Sequence, residues 1–579
     1  MRSDRGRALR LAATSGGVLA ALALPTAATG DESVYVANTF SQGTVSQFAV
    51  GPFGPLVPLS PATVTAGDAP FSIAIGPDGR SAYVSATSGG SASNARVWQF
   101  DIAPAGTLAP KTPASVDNGR FPRGIAIAPN GASVYTAEGA GTVGQYDVGV
   151  GGALTPKTPG SVAAGAAPQS VAVSPDGRSV YVVNQPPGTP LPAGTVSQYD
   201  VDAAGRLTPK SPPTVPTGDG PSGIAVSPDG RSVYVANRDS DTVSQFDVGP
   251  GGGLAPKSPA TVATGGAPNG VAVSPDGRSV YVANFVQSVS QYVVGPSGAL
   301  TPMSPASVAT GGNGVPVDLV VSPDSRRVYV TIPSGPVNLN QFHAGVGGAL
   351  YPMSPDAVPA TNAARGIAIR PRTAPVAAAS AGTSGLLAAL DGSASRSPEG
   401  SIARYDWDFG DGRVLSDGGA TPAHLYAAAG SYQVTLTVTD DAGCSTALVF
   451  TGRMASCNGG PTARTTIPVT VSAPAQGGPT GGVRDRLAIA LAARRYRATA
   501  RRRVRVAFAT TLAGRATLQA LRGRRVVARS SRRVGRGPGT LALRVRRPGR
   551  YRLRLVIRSA DGQRVSASAR LVVRQRVAM

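Results

Sequence analysis

One nine-residue phrase, Ser-Pro-Asp-Gly-Arg-Ser-Val-Tyr-Val, occurs three times, at Ser174–Val182, Ser227–Val235 and Ser274–Val282. Looser copies stand at Gly76–Val84, Ala128–Thr136 and Ser322–Val330, and a truncated one at Ser33–Asn38. The tyrosines that mark these copies, Tyr35, Tyr83, Tyr135, Tyr181, Tyr234, Tyr281 and Tyr329, lie 46 to 53 residues apart. A unit of that length cannot bury its apolar faces alone, so neighbouring units must stack on one another.

Each unit reads as four strands. In the copy from Pro268, Gly270–Val273 is a short apolar strand, and Pro275-Asp276-Gly277 is a turn in which Gly supplies the positive φ. Val280–Ala283 is the second strand, Ser288–Val294 the third, and Leu300–Val308 a proline-broken fourth suited to a sheet edge. Four antiparallel strands repeating every ~45 residues make a propeller blade. The last first strand, Gly366–Arg370, has no second strand after it, and Val34-Tyr35-Val36 has no first strand before it. Pairing the two closes seven blades and leaves no open edge.

These residues resemble the YVTN-type, lactonase-like seven-bladed propellers over roughly 31–372. The resemblance implies either a binding platform or a lactone hydrolase, and fold alone does not choose between them. The first strand of a blade is innermost, so its opening residues line one mouth of the channel. Those slots hold Phe71, Arg123, Gln169, Ser222, Asn269, Val317 and Arg365, followed by Ser72, Gly124, Ser170, Gly223, Gly270, Asp318 and Gly366. The lactonase-like enzymes place His at the second slot; here it is Gly, Ser or Asp. Arg123, Gln169, Asn269, Asp318 and Arg365 are the expected ligand-binding residues. For hydrolysis, Arg123 or Arg365 would hold an oxyanion and Glu138 or Asp318 would act as base. His343 falls on a third strand, away from the axis, and is expected at the surface.

Tyr405-Asp406-Trp407-Asp408-Phe409-Gly410-Asp411-Gly412, then Pro422–Tyr426 and the alternating run Gly430–Asp440, resemble the PKD domain, an immunoglobulin-like sandwich. The resemblance implies a spacer or contact module over 373–473 and a structural role for His424. Asp406, Asp408 and Asp411 could gather calcium, but turn formation is the commoner use of such residues, and no metal or cofactor is expected. Cys444 and Cys457 are the only cysteines. In an exported protein they are expected to pair.

The charge is partitioned. Net charge is +24, yet 484–579 alone holds 28 Arg, no Lys and two acids, leaving the rest near neutral. There Arg alternates with apolar residues, as in Arg550, Arg552 and Arg554 or Arg544 and Arg546, which predicts a second, smaller β-sandwich with an arginine face. Guanidinium forks grip phosphate and carboxylate, so these five arginines are the expected polyanion site. Aromatics for base stacking are scarce (Tyr496, Phe508, Tyr551), so specific nucleic-acid binding is not expected. Residues 474–483 read as a flexible linker, and 1–30 as a secretory signal with basic, apolar and small-residue parts. No later apolar run reaches 18 residues, so no membrane span is expected.

The expectation is an all-β, exported, monomeric protein: a seven-bladed β-propeller as binding platform, a PKD sandwich as spacer, and an Arg-rich β-sandwich as tether. Anionic cell-envelope polymers or extracellular glycans and proteins would be its partners. A secreted lactone hydrolase acting at the channel mouth is the alternative.

Overall fold

Short runs of Val, Ile and Tyr bounded by Pro, Asp and Gly have one comfortable local state, a strand ended by a tight turn. The computed structural model has that pattern throughout. It describes residues 32–574 except 40–42, 52–53, 87–94, 118–119, 312–313, 335–337, 361–362, 474–488, 492–494, 500–502, 511, 524 and 536. The expected export signal and the whole of the expected linker lie outside the described residues. No α-helix occurs among the described residues, and no helix there is long and apolar enough to cross a membrane.

Seven four-stranded antiparallel sheets follow one another, and the innermost strand of blade one comes from far along the chain. Ala364–Ile369 pairs with Ser33–Asn38 in the register Val34↔Ile369, Tyr35↔Ala368 and Val36↔Ile367. The expected closure is therefore the one observed. Across the same seam, the Arg327 guanidinium of blade seven lies 3.0 Å from the buried Glu32 carboxylate.

The blades are stitched by two rings of polar contacts inside an apolar core. Each repeat tyrosine is fully buried, and its hydroxyl donates to a glycine carbonyl of the next blade. Tyr35 reaches Gly106, Tyr234 reaches Gly298, and Tyr329 returns to Gly54. One glutamine per blade makes the second ring. Gln245 donates to Pro259 O in its own outer strand at 2.9 Å and accepts from Leu300 N of the next blade at 2.9 Å. The last of these, Gln341, accepts from Leu56 N of blade one at 2.7 Å. Around these bonds pack inter-blade clusters, such as Tyr234, Ala236 and Val243 against Val271, Val273, Val280 and Val282.

After the ring come two further pairs of sheets. Ile402–Asp408, Gly430–Asp440 and Arg464–Val471 form one face of a sandwich, with Trp407, Tyr426, Val434, Leu436 and Val438 at its centre. His424 is stacked 3.9 Å from Phe409 and its Nε2 lies 2.8 Å from the Asp411 carboxylate. Asp408 and Asp411 each also accept a backbone N–H of their own turn, from Gly410 and Arg413. The last unit has a three-stranded and a five-stranded sheet. Val504, Val506, Phe508, Leu518, Leu553, Leu555 and Ile557 fill the space between them. A turn at Asp561-Gly562 joins Gly549–Ser559 to Arg564–Arg574, with Gly562 at φ +85.

Candidate functional site: the channel mouth and its plug

The opening residues of the innermost strands converge on one cavity of about 100 Å³. At ~30 Å³ per water, that holds about three waters or one carboxylate- or phosphate-sized group. All seven second slots, from Ser72 round to Gly366, line it, as do Phe71, Gln169, Ser222, Asn269, Val317 and Arg365 of the first slots. Arg123 stands beside it and donates through Nη1 to the Gln169 side-chain oxygen. The Ser85 hydroxyl fixes the Arg123 carbonyl at 2.6 Å, and Thr331 fixes that of Arg365 at 2.6 Å.

The charges at this mouth are unevenly matched. Arg365 lies over the Phe71 ring, with its guanidinium carbon 4.6 Å from the centroid. Burial pushes the Arg123 guanidinium below its usual range; burial and then the neighbouring Arg123 do the same to Arg365. Among the described residues, neither has a carboxylate within ion-pair distance. Arg365, Phe71, Arg123 and Gln169 come from four consecutive blades, so the cationic side of the mouth is one continuous arc.

The acids are placed otherwise. Glu138 ends the second strand of blade three, 1% exposed, where its carboxylate accepts from the Thr142 and Thr136 hydroxyls. It is not among the cavity-lining residues. Asp318 is at the mouth, but both oxygens are taken by one guanidinium: Arg453 Nη1 at 2.9 Å and Nη2 at 2.8 Å. The Leu319 N–H adds 2.9 Å to the same carboxylate. Burial works against the Arg453 charge, yet Asp318 outweighs it and holds that guanidinium above its ordinary range.

Arg453 comes from the sandwich, not from the ring. Cys444 and Cys457 are bonded, as expected, and close a loop whose tip is the short hairpin of Val449–Phe450 and Ala455–Cys457. The strand leaving the ring pairs with it through Arg372 and Cys457. The tip then enters the channel from the end where the innermost strands finish. Gly452 O accepts from Val173 N at 2.7 Å. Phe450 and Ala455 pack with Val171 and Val173, and Met454 packs into the core of blades one and two. At Gly452, φ is +99, and a Cβ would meet Val226 N at 3.1 Å and Ala172 Cβ at 3.2 Å, so any other residue there is strained. This departs from the expected spacer: the sandwich reaches into the propeller and fills most of that end of its channel, leaving a space of about 20 Å³ beside the hairpin. Neither the hairpin nor Arg453 was among the expected site residues, because a contact 135 residues apart leaves no local pattern.

The expected polyanion residues divide. Arg550, Arg552 and Arg554 lie on the five-stranded sheet, Arg544 on the three-stranded one, and Arg546 in the connection. Side by side with Arg552 and Arg554 on the exposed face stand arginines that the alternation alone did not single out. Arg533, Arg515, Arg558 and Arg564 are directly opposite one another across four adjacent strands.

A seven-bladed ring with its mouth at the innermost strands defines the class of protein: a seven-bladed β-propeller. Residues 26–313 match the family described as "Lactonase, 7-bladed beta-propeller", and residues 370–454 match the PKD domain. The chain is thus a lactonase-like seven-bladed propeller followed by a PKD domain. Among solved structures, a provisionally assigned 6-phosphogluconolactonase of Bacteroides fragilis is 20% identical, aligned over 59% of this chain and 98% of its own, with a TM-score of 0.49. A Lactobacillus plantarum protein is 17% identical over 59% and 99%, with a TM-score of 0.47. Curated relatives match over short stretches. The pre-pro-metalloprotease PrtV of Vibrio cholerae is 46% identical over 59 residues, and collagenase ColA of Clostridium perfringens 47% over 54. The chain spans only 6% and 5% of their lengths.

Proposed function

We propose that this is an exported, non-catalytic binding protein whose propeller mouth receives a small anionic group and whose Arg-rich sandwich holds it to anionic envelope polymers. The observation that carries the reading is the charge arrangement at the mouth. Among the described residues, the two desolvated guanidiniums, Arg123 and Arg365, have no carboxylate within ion-pair distance, while the mouth carboxylate, Asp318, is bound on both oxygens by Arg453. A guanidinium withdrawn from water without a counterion favours an anion from solution. A carboxylate held in a bidentate pair is poorly placed to take a proton from water. The PKD domain and the disulfide fit an extracellular setting. Gln169 and Asn269 would orient the anion.

The test is calorimetric titration of the full chain with citrate and inorganic phosphate at low salt. Saturable uptake is expected, reduced at least ~tenfold in R123A/R365A, the worth of one charge-assisted hydrogen bond or more. Equal uptake by wild type and double variant sinks the reading.

The family match favours a second reading, a secreted lactone hydrolase with Asp318 or Glu138 as base and Arg123 or Arg365 on the oxyanion. Turnover of simple lactones by the full chain, abolished in Glu138→Ala or Arg123→Ala, would establish it in place of the first.

A further inference from the structure

Arg453 is odd for a structural residue. Its domain needs only a loop there, and a loop tip buried in a channel is most easily made apolar. Instead the tip carries a cation through the ring to the floor of the mouth cavity, where it is one of the lining residues. Its side chain is 15% exposed and that of Asp318 11%, so the pair is open to the cavity; on the far side the hairpin packs against the innermost strands and leaves a smaller space of about 20 Å³, which Arg453 and Met454 also line. Asp318 holds Arg453 in a two-pronged pair, the geometry a free carboxylate or phosphate would adopt. Asp318 also has donors of its own, Leu319 N at 2.9 Å and Ile367 N at 3.4 Å. It therefore keeps hydrogen-bond partners when the guanidinium turns away.

We propose that the anion site spans two domains: Arg453 of the PKD hairpin is its third guanidinium, and Asp318 is a built-in stand-in anion that occupies Arg453 until a ligand carboxylate or phosphate displaces it. This rests on the reading of the mouth as an anion site. Because the hairpin leaves only a space of about 20 Å³ behind Arg453, the ligand enters end-on from the mouth, and only its terminal anionic group reaches the floor. Asp318 sets the threshold: weakly charged or neutral ligands cannot take Arg453 from it, whereas a compact dianion or a di- or tricarboxylate can.

Full-length protein is titrated with inorganic phosphate and with citrate, using R123A/R365A to subtract binding elsewhere on the chain. Asp318→Asn removes the competitor and is expected to tighten mouth binding about tenfold, the worth of one charge-assisted hydrogen bond. Arg453→Gln removes the third guanidinium, leaves Asp318 facing the ligand and is expected to weaken it by a similar factor. A purely structural ion pair would instead loosen the plug in both variants and weaken both. If D318N does not fold, Asp318→Ser removes the carboxylate with less bulk, and ligand-induced thermal stabilisation of R453Q against wild type reads the same loss. Opposite shifts support the proposal; shifts of the same sign, or none, overturn it. Uptake that is equal in wild type and R123A/R365A overturns the mouth reading itself, which separates the two failures. A larger gain for citrate than for phosphate in D318N would identify a carboxylate as the preferred group, and the reverse a phosphate.

Discussion

The ring is held by residues that act once per blade, and their chemistry ranks them. Tyr234 donates one hydroxyl to Gly298 O, a carbonyl near enough to the surface to be rehydrated. Gln245 is fully buried and serves two backbone groups, Pro259 O and Leu300 N, in different blades. Tyr234→Phe is therefore expected to lower stability by about 1 kcal/mol, and Gln245→Ala by about 2–4 kcal/mol, because each orphaned buried group adds its desolvation penalty. Denaturant melts of the full chain, following the propeller transition, check the order; a larger loss in the tyrosine variant contradicts it. The same tyrosines set a pH limit. Burial pushes the phenols of Tyr35, Tyr83, Tyr135, Tyr181, Tyr234 and Tyr281 from the ordinary 10 up to about 12. A folded pKa above the unfolded one means that the native state keeps its proton longer. Their contribution is therefore complete below pH 10 and lost as pH rises toward 12, on the order of 3 kcal/mol each. Alkaline melts should show tyrosinate appearing together with loss of the sheet signal; phenols that ionise while the ring stays folded would refute this. Charge pairs, in contrast, are used as units. Lys111, Lys157, Lys210 and Lys257 lie buried beside Asp101, Asp147, Asp200 and Asp247. At the matching strand positions blades one and six have Leu59 with Ala49 and Met303 with Val293, and blade seven has Met353 with His343, so the lysine and its aspartate are absent together and no blade has an unpaired buried lysine there.

At the scale of strands and loops, the hairpin in the channel is the element most sensitive to a single atom. Gly452→Ala forces an L residue to φ +99 and brings a methyl group to 3.1–3.2 Å from Val226 and Ala172. The expected loss is about 1–3 kcal/mol, with faster amide exchange in peptides covering Val173, whose N–H bonds to Gly452 O. Unchanged exchange there would mean that the hairpin does not seat in the channel. This element also marks where sequence reasoning stops. The ring closure was legible because Val34-Tyr35-Val36 and Gly366–Ile369 each lack the partner that every other unit supplies locally. The mouth was legible for the same reason: one register repeated seven times puts equivalent slots at equivalent places, and all seven second slots do line one cavity. The glutamine ring was written in the chain as one Gln per third strand, but period-two alternation gives a buried glutamine and a solvated one the same pattern. Arg453 had no such sign. Its partner lies in another domain, and a Gly-Arg-Met triplet within a disulfide loop looks like any turn until the ring is in place beside it.

For the molecule as a whole, the decisive quantity is where charge is left uncompensated. The residues before Arg484 sum to about neutral, and the final unit, with 28 Arg against two acids, holds more than the whole excess of +24. Its fold makes that excess directional. Neighbouring strands are ~4.8 Å apart, so the row Arg533, Arg515, Arg558 and Arg564 spans ~14 Å, with like charges directly opposite at each step. Such pairs destabilise a sheet by a few tenths to ~1 kcal/mol each in the absence of counter-charge. A domain that keeps four in line is poised to be stabilised by something negative. Removing two inner members, Arg515→Ser and Arg558→Ser, is therefore expected to have opposite effects on stability and binding. The free protein should melt later by roughly 1 kcal/mol or slightly more, since the Arg515–Arg558 repulsion and both flanking ones are relieved. Its retention on a dextran sulfate matrix should fall, eluting at lower salt, because fewer phosphate- or sulfate-like groups are gripped. Adding soluble dextran sulfate should raise the melting point of the wild type more than that of the variant. If the double substitution destabilises the free protein, or leaves its elution salt unchanged, the row is a packing feature of the sheet and the tether must be sought on another surface.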